Sequence, residues 1–176
     1  MKTLTQIYDP TTSDKGTNHS YIEHVYENLF AKYRDSADSI LEIGTYEGGS
    51  LFMWKEYFTK AKIYGIETFK RVDIIDDRIT QIIADAYSQI TADQLHDNFD
   101  IIIDDGPHSG ESQKLCIELY LQKIKPGGIL VIEDIASIET LNGLITSIPA
   151  GLEFEVFDLR ERKGRWDDLV LVIRNN

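Results

Sequence analysis

Several things are scarce in this chain, and each scarcity excludes something. There is one cysteine, Cys116, so no internal disulfide can form and a disulfide-stapled scaffold is excluded. Basic residues are few: 18 Lys and Arg stand against 30 Asp and Glu, a formal net charge of −12. No Lys/Arg stripe breaks that acidic balance, which argues against a nucleic-acid partner. Long apolar runs are missing too, and nothing approaches the roughly 18 residues needed to cross a bilayer. The opening MKTLTQIYDP lacks the basic flank and apolar centre of a secretion signal. A soluble, cytoplasmic protein without membrane or nucleic-acid partners is the expectation, and a homo-oligomer is left open. What is present, 42% hydrophobic residues over 176 positions, suffices for one continuous core.

Residues 1–18 are polar and turn-rich, with Asp9-Pro10, Asp14 and Gly16 disfavouring regular structure. An ordered arm or lid over residues 1–20 is expected ahead of a single domain over residues 21–176. Ile22, Val25, Tyr26, Leu29, Phe30 and Tyr33 share one helical face, and Ser20 with Glu23 forms a candidate capping box. Short apolar runs then alternate with helical patterns. Strands are expected at 39–43, 62–66, 79–84, 99–103 and 129–132, and helices at 50–58, 110–124 and 137–147, with Pro126-Gly127-Gly128 as a helix stop. The link from Glu67 to Ile79 shows no crossover helix. Residues 153–159 and 169–174, joined by the polar loop 160–168, suit an antiparallel pair at a sheet edge. Ile101-Ile102-Ile103 and Leu130-Val131-Ile132 are apolar on both faces, as buried parallel strands must be. The pattern predicts an α/β, Rossmann-like doubly wound sheet, mostly parallel, with an antiparallel C-terminal edge pair and helices on both faces.

In such a sheet ligands bind at the carboxyl ends of the strands. The first strand runs into Gly44-Thr45-Tyr46-Glu47-Gly48-Gly49-Ser50, a glycine-rich turn entering a helix. Its spacing is not G-x-G-x-x-G, so the dinucleotide fingerprint is missing; a nucleoside without phosphates is favoured, and a nicotinamide oxidoreductase is not. The second strand ends at Glu67, an acid able to accept hydrogen bonds from both ribose hydroxyls, and the third at Asp85-Ala86, beside an adenine position. Each feature alone fits an ordinary turn or a solvated acid; together they form a series. The fourth strand delivers Asp104-Asp105-Gly106-Pro107-His108 and the fifth Glu133-Asp134. Carboxylates crowded at adjacent strand mouths repel one another, and a bound cation relieves that, unless some of them cap the helices that follow. Oxygen ligands favour magnesium, manganese or calcium over zinc. His108, three residues beyond Asp105, can serve as a general base.

In order, these motifs resemble the class I S-adenosylmethionine-dependent methyltransferases, most closely the metal-dependent group of macrocin-type sugar O-methyltransferases and the proteins named cephalosporin hydroxylases. The resemblance extends over Asp14-Lys15-Gly16-Thr17 with His19 and Tyr21, LEIGTYEGGS, IIIDDGPH, GGILVIEDI and the ending DLRERKGRWDDLVLVIR. It implies a small-molecule hydroxyl acceptor, sugar or catechol-like, with S-adenosylmethionine and a divalent metal, Mg2+ by its oxygen donors, as cofactors. By the same resemblance Asp105, Glu133 and Asp134 hold the metal, and His108 with Asp105 forms the catalytic pair. Glu42, Gly44, Thr45, Gly48, Ser50, Glu67, Asp85, Ala86 and Asp104 belong to the cofactor site. Pro107 stands where the family more often has serine, and residues 68–78 match poorly. A hydroxylase would need an iron triad, and His19, His24, His96 and His108 show no such spacing. A non-catalytic nucleoside-binding module would have no use for His108 beside the acids.

Overall fold

The computed structural model describes residues 1–176. Strands β1 (Ser39–Ile43), β2 (Lys62–Glu67), β3 (Ile79–Ile83), β4 (Phe99–Asp104), β5 (Ile124–Ile132), β6 (Glu153–Asp158) and β7 (Leu169–Asn175) form one sheet in the order β3-β2-β1-β4-β5-β7-β6. All neighbours from β3 to β5 pair in parallel. The last strand, β7, inserts antiparallel between β5 and β6, so the expected antiparallel pair is present with β6 outermost. Helices are α1 (Leu4–Ile7), α2 (Glu27–Leu29), α3 (Gly49–Tyr57), α4 (Gln89–Gln94), α5 (Gly110–Tyr120), α6 (Ile138–Ser147) and α7 (Arg160–Lys163). Of these α1, α4 and α7 fall in segments whose spacing predicts no helix. No helix is long and apolar enough to cross a membrane.

Strand parity sorts the side chains into two cores. Ile40, Ile101, Ile103, Ile129, Val131, Val170 and Val172 join the helices from the first third of the chain in one apolar cluster. Leu41, Ile43, Ile102, Leu130, Ile132, Leu169 and Leu171 face the opposite side, with Ile117, Tyr120 and Leu141 from α5 and α6 and their flanks. Leu4 of the arm is fully buried in the first cluster.

Three local expectations are corrected. The apolar stripe from Ile22 to Tyr33 is not one α-helix: a π-helical turn, Ile22–Tyr26, precedes α2, and a 3-10 turn, Ala31–Tyr33, follows it. The Ser20–Glu23 capping box does not form, because the entering residue Tyr21 is already helical and carries no side-chain cap. The π turn has a physical use. Its wider i→i+5 repeat brings Tyr21 and Tyr26 to the same side, where their hydroxyls reach the adjacent acids Asp134 and Glu133. Pro126-Gly127-Gly128 lies inside β5 rather than before it. The pairing with β4 slips between Phe99 and Ile101, so these residues form a bulge, with Gly127 at φ 81°.

Candidate active site

Beyond the carboxyl ends of β1 to β4 opens a cleft of about 1210 Å³, lined by Gly44, Thr45, Ser50, Glu67, Asp85 and Ala86 among others. Gly44 sits at φ 80°, and a Cβ there would fall 1.9 Å from the Asp105 carbonyl oxygen, so the turn after β1 packs directly on the exit of β4. The Glu67 carboxylate accepts the Tyr46 and Thr68 backbone N–H groups, each at 2.8 Å, which fixes its direction while lone pairs stay free. Asp85 is held similarly by the Tyr87 N–H at 3.0 Å.

Three residues expected at the cofactor do not line this cleft. Glu42 shares the parity of Ile40, lies fully buried beneath the turn, and accepts the Ser50 hydroxyl at 2.5 Å. Gly48 is the left-handed residue entering α3, and an added Cβ would meet the Ile74 side chain. Asp104 shares the parity of Ile102 and turns to the opposite core, accepting the Tyr87 hydroxyl at 2.5 Å; burial pushes its pKa up to about 6. Conversely, the spacing gives no sign of one wall, where the Arg71 guanidinium lies 4.5 Å from the ring centre of Tyr46. Arm residues Pro10 to Asp14, Thr17 and Asn18 also line the cleft, which the arm-or-lid reading anticipates only in outline.

The acidic cluster divides by parity. Glu133 continues the Val131 face, and its carboxylate oxygens lie 2.8 and 2.7 Å from the ammonium of Lys15, while the Tyr26 hydroxyl donates to one of them. Glu133, expected to share an ion with Asp105 and Asp134, faces here a lysine delivered by the arm, whose ammonium also reaches Asp105. Burial pushes the Glu133 pKa up to about 7, opposed by Lys15. Asp105 is also raised by burial, with Lys15 opposing. The Lys15 ammonium is itself buried, but the surrounding acids outweigh that and raise its pKa well above the usual lysine range.

Asp134 and His108 both adopt left-handed backbone, φ 52° and 56°, a conformation uncommon outside glycine and a pointer to functional strain. It turns Asp134 away from strand parity. His108 Nε2 lies 3.5 Å from Asp134 Oδ2 and 3.9 Å from Asp105 Oδ1, and ligand atoms of Asp105, His108 and Asp134 all fall within 4.8 Å of one another. That spacing and the oxygen-rich donor set fit a hard divalent cation. Burial lowers the His108 pKa, leaving a neutral imidazole able to take a proton. On the other side of Asp134, His19 Nδ1 lies 3.2 Å from Asp134 Oδ1 and 2.6 Å from Asp168 Oδ1. Two histidines thus flank one acid, which sequence spacing did not reveal. They face different oxygens, and Asp168 engages His19, so they do not converge on a single point as an iron triad requires.

A cleft at the carboxyl edge of a Rossmann-like sheet thus adjoins a corner of carboxylates and imidazole. A family model described as a methyltransferase domain matches residues 41–135. The chain is 34% identical over 133 residues to the 8-demethyl-8-alpha-L-rhamnosyl tetracenomycin-C 2'-O-methyltransferase of Streptomyces olivaceus, covering 70% of this chain and 35% of that protein. It is 33% identical over 130 residues to the demethylmacrocin O-methyltransferase of Streptomyces fradiae, covering 68% and 33%. Among solved structures, the MycE methyltransferase from the mycinamycin biosynthetic pathway, in complex with Mg and SAH, superposes over 99% of this chain and 55% of that one, with a TM-score of 0.80 and 25% identity. The chain belongs to the class I S-adenosylmethionine-dependent methyltransferases, in the group that contains the macrocin-type sugar O-methyltransferases. It spans about a third of the length of the curated relatives it matches.

Proposed function

We propose that the chain transfers the methyl group of S-adenosylmethionine to a hydroxyl of a small glycoside-like or catechol-like acceptor, assisted by Mg2+. The observation that carries this reading is continuity: Asp105, Gly106 and Pro107 line the same cleft as Gly44, Glu67 and Asp85, while the Asp105 carboxylate groups with His108 and Asp134. Both the relatives named as O-methyltransferases, one of them of a rhamnosyl tetracenomycin, and the neighbour solved with Mg and SAH support it. A cytoplasmic setting belongs to the proposal, supported by a lone cysteine that is buried and free.

Glu67 would hold the ribose hydroxyls, and Gly44 allows the nucleoside to approach the main chain. Asp105 and Asp134, with His108 beside them, would hold the ion. Bound there, a divalent ion would supply Lewis acidity toward the acceptor hydroxyl, and S-adenosylmethionine would supply the methyl group. His108 Nε2 faces this corner and would accept the proton that the acceptor hydroxyl loses on methylation, a contribution worth about 10² to 10⁴ in rate. The His108 ring is kept neutral by burial, which suits it to that role.

Calorimetric titration with S-adenosylhomocysteine, Mg2+ and NAD+ tests the cofactor side. Transfer of labelled methyl from S-adenosylmethionine to rhamnosides and catechols tests the reaction. Binding of the first two without NAD+ is expected, and NAD+ binding without S-adenosylhomocysteine would overturn the proposal.

A further inference from the structure

The two carboxylate oxygens of Asp134 face different neighbours. Oδ2 lies 3.5 Å from His108 Nε2, on the ion corner. Oδ1 faces the arm, where it accepts the Tyr21 hydroxyl and lies 3.2 Å from His19 Nδ1. Behind His19 stands the fully buried Asp168, its Oδ1 2.6 Å from the same Nδ1. Both neighbours of that nitrogen are carboxylates, so it carries the ring proton and donates. Burial raises the Tyr21 pKa, and the Asp134 charge adds to it, so the phenol also stays protonated and donates. His19 and Tyr21 are themselves buried, and their rings stack with centres 4.7 Å apart. The main chain is held as well: Gln113 Nε2 donates to the carbonyls of Glu133 and Asp134 at 2.9 and 3.4 Å.

We propose that His19 and Tyr21 are positioning residues: they fix Asp134 Oδ1 so that Oδ2 is presented to the ion, and Asp168 orients the His19 ring. A carboxylate free to rotate aims an oxygen at an ion only part of the time, and hydrogen bonds from behind the ligand remove that freedom. The left-handed backbone of Asp134 points the same way, since such strain persists where the surroundings over-determine a functional group. Both residues come from the arm. Its turn is secured from outside by Lys163 of α7, whose Nζ donates to the carbonyls of Gly16, Thr17 and His19 at 2.5, 2.7 and 2.7 Å. Seating of the arm thus sets the direction of a ligand on β5's exit. The inference rests on the proposed ion corner, but its test reads ion affinity and needs no methyl acceptor.

Mn2+ binding to the full chain is measured by electron paramagnetic resonance for wild type, Tyr21→Phe, His19→Leu and His19→Asn, with S-adenosylhomocysteine affinity taken by calorimetry on the same metal-free proteins. Tyr21→Phe and His19→Leu should each weaken Mn2+ by about 10- to 100-fold while S-adenosylhomocysteine binds as before. His19→Asn, whose side-chain amide can stand in for the Nδ1 donor, should bind Mn2+ more tightly than His19→Leu. Should His19→Leu not fold, Tyr21→Phe decides, since it removes a single oxygen. A folded Tyr21→Phe with wild-type Mn2+ affinity, or one that loses S-adenosylhomocysteine by the same factor as Mn2+, overturns the inference and leaves the proposed function standing. Two Mn2+ per wild-type chain, one of them lost in His19→Leu, would make His19 a ligand and overturn it as well. A wild type that binds no Mn2+ sinks the ion of the proposed function and this inference together.

Discussion

Gly44→Ala probes the junction on which both halves of the site depend. An alanine Cβ at Gly44 would lie 1.9 Å from the Asp105 carbonyl oxygen and 2.9 Å from the Gly106 Cα. Both are main-chain atoms, so no flexible side chain can swing aside and the exit of β4 must move. Holding alanine in left-handed backbone costs roughly 1–2 kcal/mol, and overpacking typically adds about 1–3 kcal/mol. The sum is about 2–5 kcal/mol, and at roughly 2–4 °C per kcal/mol for a chain of this size the melting temperature should fall by about 4–20 °C. Two other glycines separate the terms. Gly127 has φ 81° with nothing within 4 Å of its added Cβ, so Gly127→Ala should lose only the conformational part, about 1–2 kcal/mol. Gly143 lies inside α6 with nothing within 4 Å, and Gly143→Ala should stabilise by about 0.4–1 kcal/mol. Differential scanning fluorimetry in one buffer ranks all three. Since the displaced atoms are the main chain of Asp105 and Gly106, calorimetry should show weaker S-adenosylhomocysteine binding for Gly44→Ala alone. A Gly44→Ala protein no less stable than Gly127→Ala would refute the reasoning.

Other perturbations address single roles. Glu67→Ala should weaken S-adenosylhomocysteine by roughly 1.5–3 kcal/mol, about 10- to 150-fold in Kd, the range for hydrogen bonds to a charged group; unchanged affinity by calorimetry removes Glu67 from the site. Mg2+ should raise the wild-type melting temperature, by about 2.7 kcal/mol of stabilisation at 100-fold excess over Kd, and Asp105→Asn should abolish that rise. The same rise in both proteins would place the ion elsewhere. His108→Ala should retain S-adenosylhomocysteine binding yet lower kcat by about 10² to 10⁴ once an acceptor is in hand, and by less with an acidic acceptor such as a catechol. Wild-type turnover would return His108 to a structural role.

The sheet was legible because its strands announce themselves locally. Ile101-Ile102-Ile103 and Leu130-Val131-Ile132 are apolar on both faces, and an acid or glycine at a strand exit must stand near the carboxyl edge whatever surrounds it. Gly44, Glu67, Asp85 and Asp105 were found that way, and all four line the cleft. Strand exits say nothing of direction, however. Glu42 and Glu133 lie on one face by parity and Asp104 on the other, but only packing decides that the first face receives a lysine and tyrosines, while the second receives Tyr87. The π turn that aligns Tyr21 with Tyr26 leaves no mark in an apolar stripe that an ordinary α-helix would bury equally well.

What the sequence by itself determined is the alternation of apolar strands and helices, and with it the edge of the sheet where chemistry-bearing residues gather, since both follow from short-range periodicity and the geometry of a parallel sheet. What only the tertiary structure decided is which charges meet. Lys15 reaches Glu133 across 118 positions and His19 reaches Asp168 across 149. No local pattern encodes such pairs, because a buried charge is placed by the whole surrounding core, which leaves it no water and therefore requires a partner, however distant in the chain.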